Sequence, residues 1–387
     1  MIKRYFLNLF LLFTLVIVLA ACGSGNDNEN DSWKEEANLD ANESEEDLYD
    51  KAKDEGEVVI YSMSSSWEST KDYFEEEFPE IEVKGAKLHG PDLLTRLGKE
   101  QEGGKYEADV VLVKEIHGQV LEEFVNTGML HGYTPARLMK NLSPPYDEKD
   151  YIVPWVAMRS IFYNTDAYDE HPIENWWDLT TEEWEGKVMI NDPLASSDTA
   201  AVFLTIIQKS DLFAESYEKR FGEELELNGT ENAGYEFIKR LMENDPILTD
   251  SSSEMIDSIA NADQEKPPVG LAVAKYMKEV EGQGYPIAFN YDIEPGISNE
   301  ELPMLFIADN APNPNAAKLL IHSLAGGENG DLKGIEPFNV EGSFVTNEKV
   351  ETPNEKDVED LNLWELDAEY HYEIFNDFKN FWLEIQE

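Results

Sequence analysis

Residues 57–114 carry the pattern that most restricts the fold: three apolar runs separated by two stretches of helical spacing. Val58–Ser62 is a short β-branched run and reads as a strand. Residues 66–78 set Trp67, Tyr73, Phe74 and Phe78 at helical spacing, and residues 81–87 read as a second strand. Between Asp92 and Gln101, Leu93, Leu94 and Leu97 share one helix face. Residues 108–113 do not alternate, which predicts a third strand buried on both faces. Strand, helix, strand, helix, strand predicts a parallel sheet with right-handed crossovers. Ligands of such sheets bind beyond the carboxyl ends of the strands. The loop Met63-Ser64-Ser65-Ser66 lies at that position, just before a helix. On one reading Ser64, Ser65 and Ser66 receive an anion at the helix N-terminus. On the other, Ser66 merely caps the first turn.

The same alternation continues. Residues 151–163 are extended and apolar after Pro144-Pro145, and predict a crossing from a first lobe to a second. Residues 187–265 alternate strand and helix signals, as a second α/β lobe does. Residues 267–277 and 285–291 read as strands that return the chain to the first lobe. Residues 315–325 form an amphipathic helix with Asn313 or Asn315 as cap. The aromatic-rich tail, residues 361–386, has a helical pattern and predicts packing against the lobes. Some 330 residues follow position 56, roughly two domains of ordinary size. The 18 Phe, 17 Tyr and 8 Trp of the whole chain supply enough core for both. The fold class expected is α/β: two α/β lobes joined by hinge strands, with a ligand cleft between them.

The N-terminus bears on location. Lys3 and Arg4 precede an apolar segment, residues 5–21, that ends in small residues at Cys22. A charged start, an apolar stretch and a small-residue site read as a secretory signal. Leu19-Ala20-Ala21-Cys22 resembles the lipobox of bacterial lipoproteins, in which the cysteine is acylated and the chain is cut just before it. The competing reading is an uncleaved membrane anchor, although the segment is slightly short of the roughly 20 residues a spanning helix needs. Cys22 is the only cysteine, so a disulfide framework and a cysteine metal cluster are excluded. Acylation would also leave no thiol for nucleophilic catalysis. Residues 23–56 are acidic, Asn-rich and poor in aliphatics, and read as a solvated tether with Leu48–Ala52 as a docking point. The expected organisation is a signal peptide over 1–21 and a lipidated cysteine with tether over 22–56. The first part of lobe 1 follows over 57–156, lobe 2 over 157–285, and the return to lobe 1 with C-terminal helices over 286–387.

The formal net charge is −51. Nucleic acid is therefore excluded as a partner, since phosphate backbones demand Lys and Arg. A basic patch holding anionic lipid is excluded on the same ground. The carboxylates are spread along the chain, which points to a surface adapted to high salt or alkali rather than to a cation store. No Gly-x-Ser-x-Gly elbow, His-Glu-x-x-His or phosphate-binding Gly-Lys-Ser/Thr loop is present. The six histidines are scattered singly. An enzyme is not expected, nor a cofactor.

An ordered set of short motifs carries a resemblance. Phe162-Tyr163-Asn164-Thr165-Asp166 is followed by Pro172, Trp176 or Trp177, and Asp178-Leu179. Trp184-Glu185-Gly186-Lys187-Val188, Asp192-Pro193 and Ser196-Ser197-Asp198-Thr199 come next, then Ala311-Pro312-Asn313-Pro314 with Ala316-Ala317. Over about residues 57–350 the chain resembles the extracellular solute-binding proteins of ABC importers, in the branch with ferric-ion, sugar-phosphate and phosphonate receptors. That resemblance implies a periplasmic-binding-protein-like fold, hinge closure on a solute, and delivery to a membrane permease. It implies a lipid-anchored monomer on the outer face of the cell membrane.

The resemblance also implies a site, with departures. The ferric branch grips iron with a tyrosine pair, a histidine and a glutamate. Here only Tyr276 stands at the pair, beside Lys275. Ser64–Ser66 stand where the histidine falls, and Lys114 where the glutamate falls, with Glu115 one step on. Fe(III) wants anionic oxygen ligands, so these exchanges weaken an iron site. The anion side is kept. Arg159 stands where the branch has an anion-contacting arginine, and Ser196, Ser197 and Thr199 precede a helix. Such a set suits phosphate, phosphonate or carboxylate. Capping alone is the plainer reading of the hydroxyls, and a salt bridge to one of the many carboxylates that of Arg159. The expected ligand set is Ser64, Ser65, Ser66, Lys114, Arg159, Ser196, Ser197, Thr199 and Tyr276, with no metal. Ferric iron through Tyr276 is the alternative, and a sensor for a membrane signalling partner a further one.

Overall fold

The computed structural model describes residues 33–261 and 266–386. Cys22, the apolar segment before it and the first part of the tether lie outside them. No helix among the described residues is long and apolar enough to cross a membrane. The chain divides after Leu39. In the first unit, residues 33–37 are helical, and the Asn38 amide closes on the Lys34 carbonyl at 3.0 Å.

The second unit begins with helix α1 (Glu45–Glu55), where the tether was expected to remain solvated. Ser44 caps it, accepting from the Asp47 amide, and three acidic residues fill its first turn. Leu48 and Ala52 are fully buried, so the docking expected over Leu48–Ala52 takes in the whole helix. The acidic composition concealed this because two apolar side chains one turn apart are enough to seat a capped helix.

The expected alternation then follows as β1 (Glu57–Ser62), α2 (Trp67–Glu77), β2 (Glu82–Lys87), α3 (Gly90–Glu102) and β3 (Val110–Lys114). Strand β1 pairs in parallel with both β2 and β3. The first sheet has the order β2-β1-β3-β11-β4, where β4 is Leu130–His131 and β11 is Pro303–Ala308. Strand β11 runs antiparallel to both its neighbours. Leu93, Leu97, Val111, Val113 and Phe306 meet in one core of this lobe.

Two short strands, β5 (Trp155–Ala157) and β6 (Arg159–Asn164), carry the chain across. The second sheet has the order β10-β6-β9-β7-β8. Its members are β7 (Val188–Asn191), β8 (Ile247–Thr249), β9 (Val269–Val273) and β10 (Ile287–Phe289), with β6. Helices α4 (Ser197–Gln208), α5 (Ser210–Phe221), α6 (Ala233–Glu243), α7 (Ser252–Ala260) and α8 (Met277–Gln283) accompany it. Trp176, Trp177, Phe203, Phe213 and Phe237 build its core. The stretches expected to return the chain to the first lobe, β9 and β10, both stay in this sheet. The return is β11, preceded by an antiparallel bridge in which Ala157 and Glu301 exchange backbone hydrogen bonds of 2.9 and 2.8 Å. Strand β12 (Ser343–Val345) adds to β5.

Helix α9 (Pro314–Leu324) covers the first sheet, its Asn313 amide held by Asp109 at 2.7 Å. The last helix, α10 (Ala368–Glu384), packs against the lobes as its aromatic pattern predicts. Its Trp382 stacks on Phe203 of the second lobe and Phe378 meets the same ring at a tilt. It also touches the first lobe: Phe375 stacks on His117 with ring centroids 3.8 Å apart, and Tyr372 donates to Glu123. Gly118, at φ +84°, admits it, since a Cβ there would lie 2.3 Å from the Ala368 carbonyl oxygen.

Candidate functional site

A cleft of about 880 Å³ opens at the ends of β1, β3, β6 and β9. This is the edge at which parallel sheets gather ligands. Eight of the nine residues expected from sequence line it: Ser64, Ser65, Ser66, Lys114, Arg159, Ser196, Ser197 and Tyr276. The loop after β1 is folded by its own serines, Ser62 Oγ accepting from the Ser64 amide and Ser64 Oγ from the Ser66 amide. Ser66 makes no capping bond, so the plain-cap reading of that residue fails. Ser196 does cap α4, accepting from the Thr199 amide at 3.3 Å. Thr199 is the residue not brought to the cleft. It is fully buried in the first turn and donates its hydroxyl to Ser196 Oγ.

At the floor, five charged side chains converge. Lys114 Nζ reaches Asp198 Oδ2 at 2.7 Å and Glu301 Oε2 at 2.9 Å. Arg159 sets Nη2 3.4 Å from Asp198 Oδ2 and Nε 3.0 Å from Glu301 Oε1. Lys275 completes the group and pairs with no carboxylate among the described residues. Lys114 belongs to the first lobe, Asp198 to the second, and Glu301 and Arg159 to the crossing segments. The cluster thus spans the hinge.

Burial alone would lower the Lys114 ammonium, but the carboxylates of Asp198 and Glu301 outweigh it and push the pKa up. Burial would raise Asp198, yet Lys114 and Arg159 hold it down at about 2. Lys275 is lowered, first by burial and then by the neighbouring charge of Lys114. Arg159 is nearly enclosed, and its Nη1 has no acceptor. The whole lining carries Lys87, Lys114, Arg159 and Lys275 against Asp92, Asp198, Asp250 and Glu301. Four of each sign make the cleft neutral in a chain of net charge −51.

One wall is apolar. Trp155 stacks on Phe338 at 4.0 Å between ring centroids, with Pro337 and Val340 beside it. His117 also lines the cleft, its pKa lowered by burial to about 4. Sequence reading missed Lys275, Asp198 and Glu301. Lys275 had a signal, because it replaces a tyrosine of the expected pair. Asp198 lies inside the Ser196–Thr199 motif, where the hydroxyl neighbours carry the more obvious signal. Glu301 had none, because only the crossing with Ala157 brings it in.

Residues 108–321 match the family described as bacterial extracellular solute-binding protein. No curated protein sequence matches the chain. Solved structures with the same fold include apo ferric ion-binding protein A of Pasteurella haemolytica. It is 18% identical with a TM-score of 0.64, over 86% of this chain and 98% of that one. AfuA of Actinobacillus pleuropneumoniae, with exogenous fructose-6-phosphate bound, is 18% identical with a TM-score of 0.62, over 85% and 98%. Iron-bound HitA of Pseudomonas aeruginosa is 14% identical with a TM-score of 0.63, over 85% and 99%.

Proposed function

The chain belongs to the family of bacterial extracellular solute-binding proteins, and we propose that its solute is a small organic anion bearing a phosphate or phosphonate group. The observation that carries this reading is Arg159: a nearly enclosed guanidinium in the cleft floor whose Nη1 donates to nothing. Buried donors are almost always matched, so an acceptor from the solute is the natural partner. Lys275, unpaired in the same floor, adds a second cation. Ser64–Ser66 and the Ser196–Ser197 helix start add hydroxyls and amides from the two lobes. The stacked Trp155 and Phe338 offer the organic part an apolar wall. A cleft of about 880 Å³ is the size of small-molecule sites rather than of a bare ion.

The ligand bridges the lobes, so binding favours the closed form and a permease reads closure. Acylation at Cys22 would keep the protein at the outer face of the membrane. Ferric iron is the competing reading, and Tyr276 in the cleft is the observation that favours it. Against it, the cations Lys114, Arg159 and Lys275 share the cleft with Tyr276, and a hard trivalent cation wants anionic oxygen ligands there instead. Thermal-shift screening of phosphonates, sugar phosphates and ferric citrate separates the two. At 100 times its dissociation constant a true ligand stabilises the fold by about 2.7 kcal/mol. Arg159→Ala is expected to abolish the shift. A shift from ferric citrate alone, lost in Tyr276→Phe and kept in Arg159→Ala, would establish iron instead.

A further inference from the structure

Away from the residues that line the cleft, three potential ligands from separate parts of the chain meet. Glu45 opens α1, His322 lies near the end of α9, and Glu328 follows in the next loop. One ligand atom from each lies within 4.8 Å of the other two. His322 is fully buried, with Nδ1 3.2 Å from Glu45 Oε1 and Nε2 3.3 Å from the Tyr133 hydroxyl. The Glu328 amide donates to Glu45 Oε1 at 2.8 Å, which folds the loop back over the helix start. Gly327 makes this approach possible. It has φ +77°, and a Cβ there would lie 3.0 Å from Glu45 Oε1.

A histidine and one glutamate would form an ordinary buried pair. The third member does not fit that account. Glu328 Oε1 is enclosed and accepts no hydrogen bond, while Oε2 reaches Arg137 only at 3.5 Å. Lys318, one turn before His322, is directed to Glu43 at 3.3 Å. Two carboxylates and an imidazole nitrogen therefore face one another, with one enclosed carboxylate oxygen unmatched.

We propose that Glu45, His322 and Glu328 bind a divalent cation of the zinc class. One imidazole nitrogen and two carboxylate oxygens are a mixed set that zinc accepts, with water as the fourth ligand. A calcium or magnesium site would be built from oxygen alone. The second shell is already in place. The Tyr133 hydroxyl, fully buried, lies 3.3 Å from His322 Nε2, so in the metal-bound form it would accept from Nε2–H and leave the Nδ1 lone pair for the ion. The ion joins the first helix of the lobe to the end of α9, so metal seats the segment by which the chain enters its folded body.

The test uses the full chain, stripped with a chelator and titrated with zinc by calorimetry and native mass spectrometry. The expected result is one zinc per chain, a higher melting temperature on saturation, and no competition from equimolar calcium. Tyr133→Phe keeps all three ligands and is expected to weaken zinc about 10- to 100-fold. Glu328→Gln, at a partly exposed side chain, is expected to weaken it further and to leave the metal-free melt close to wild type. His322→Gln should abolish the site, but a misfolded variant there does not affect the other two. Absence of a saturable zinc site overturns the proposal. So does equal zinc affinity in wild type, Tyr133→Phe and Glu328→Gln, which would mean that surface carboxylates bind it. Displacement by equimolar calcium overturns the assignment to the zinc class.

Discussion

Asp198 stands where an anionic solute is expected to dock, and replacing it with asparagine separates two roles. Its carboxylate lies 2.7 Å from Lys114 Nζ and 3.4 Å from Arg159 Nη2, with a quarter of the side chain exposed. It is held at about 2, below the ordinary 3.8, by those cations. A folded-state pKa below the unfolded one stabilises the protein above pH 3.8, and the contribution disappears as pH falls through about 2. The lowering corresponds to about 2 kcal/mol at neutral pH. Asp198→Asn is therefore expected to lose about that much in urea unfolding at pH 7, the difference vanishing near pH 2. Its effect on binding has the opposite sign. A carboxylate about 5 Å from a bound anion repels it by about 3 kcal/mol at an effective dielectric near 20. Screening by salt takes a share, so a gain of at least about tenfold in anion affinity is expected by calorimetry. The counter-ion reasoning is refuted if the variant binds the anion more weakly than wild type. Asp198 would then be a direct contact, as a solute with a cationic group requires.

Four further outcomes are expected. Anion affinity falls with rising pH from below the usual lysine value of 10.5, because Lys275 is lowered; Lys275→Arg moves that fall upward, and an unmoved profile removes Lys275 from the site. Gly118→Ala destabilises by about 2–3 kcal/mol in chemical unfolding, because its Cβ meets Ala368 and Tyr372 at a left-handed position. His371, buried and lowered to about 3, takes no proton in the fold where the unfolded chain does; stability therefore drops as pH falls below 6.5, and His371→Gln flattens part of that drop in acid-unfolding curves. A net charge of −51 is relieved by screening, so the melting temperature rises between low and molar NaCl; a flat or falling trend contradicts salt adaptation.

Much of the fold was legible because period and burial are local. The non-alternating run of β3 signalled a strand buried on both faces, and the leucines of α3 signalled its inner face. Pairing partners were not legible. Nothing in Pro303–Ala308 distinguishes a strand inserted antiparallel beside β3 from one that joins the second sheet, as β9 does. The same holds for the site. Arg159 was conspicuous as a cation in an apolar run, and Ser196 as a cap. Glu301 acquires its place only through its backbone pairing with Ala157, which no local pattern encodes. Thr199 departs from expectation for a related reason. Capping turned its neighbour Asp198 outward and Thr199 inward, a choice made by helix phase rather than by composition.

The position of β11 has a consequence for biogenesis. It lies between β3 and β4, so the first sheet has a gap that only a strand from far along the chain can fill. Until residues 303–308 arrive, β3 lacks one neighbour and β4 has no partner in the sheet. Contacts so distant in sequence form late and slowly. The N-terminal third therefore emerges from synthesis without the means to close its own core. Such a chain completes its first lobe only once residues 303–308, about four-fifths of the way along it, are available to pair.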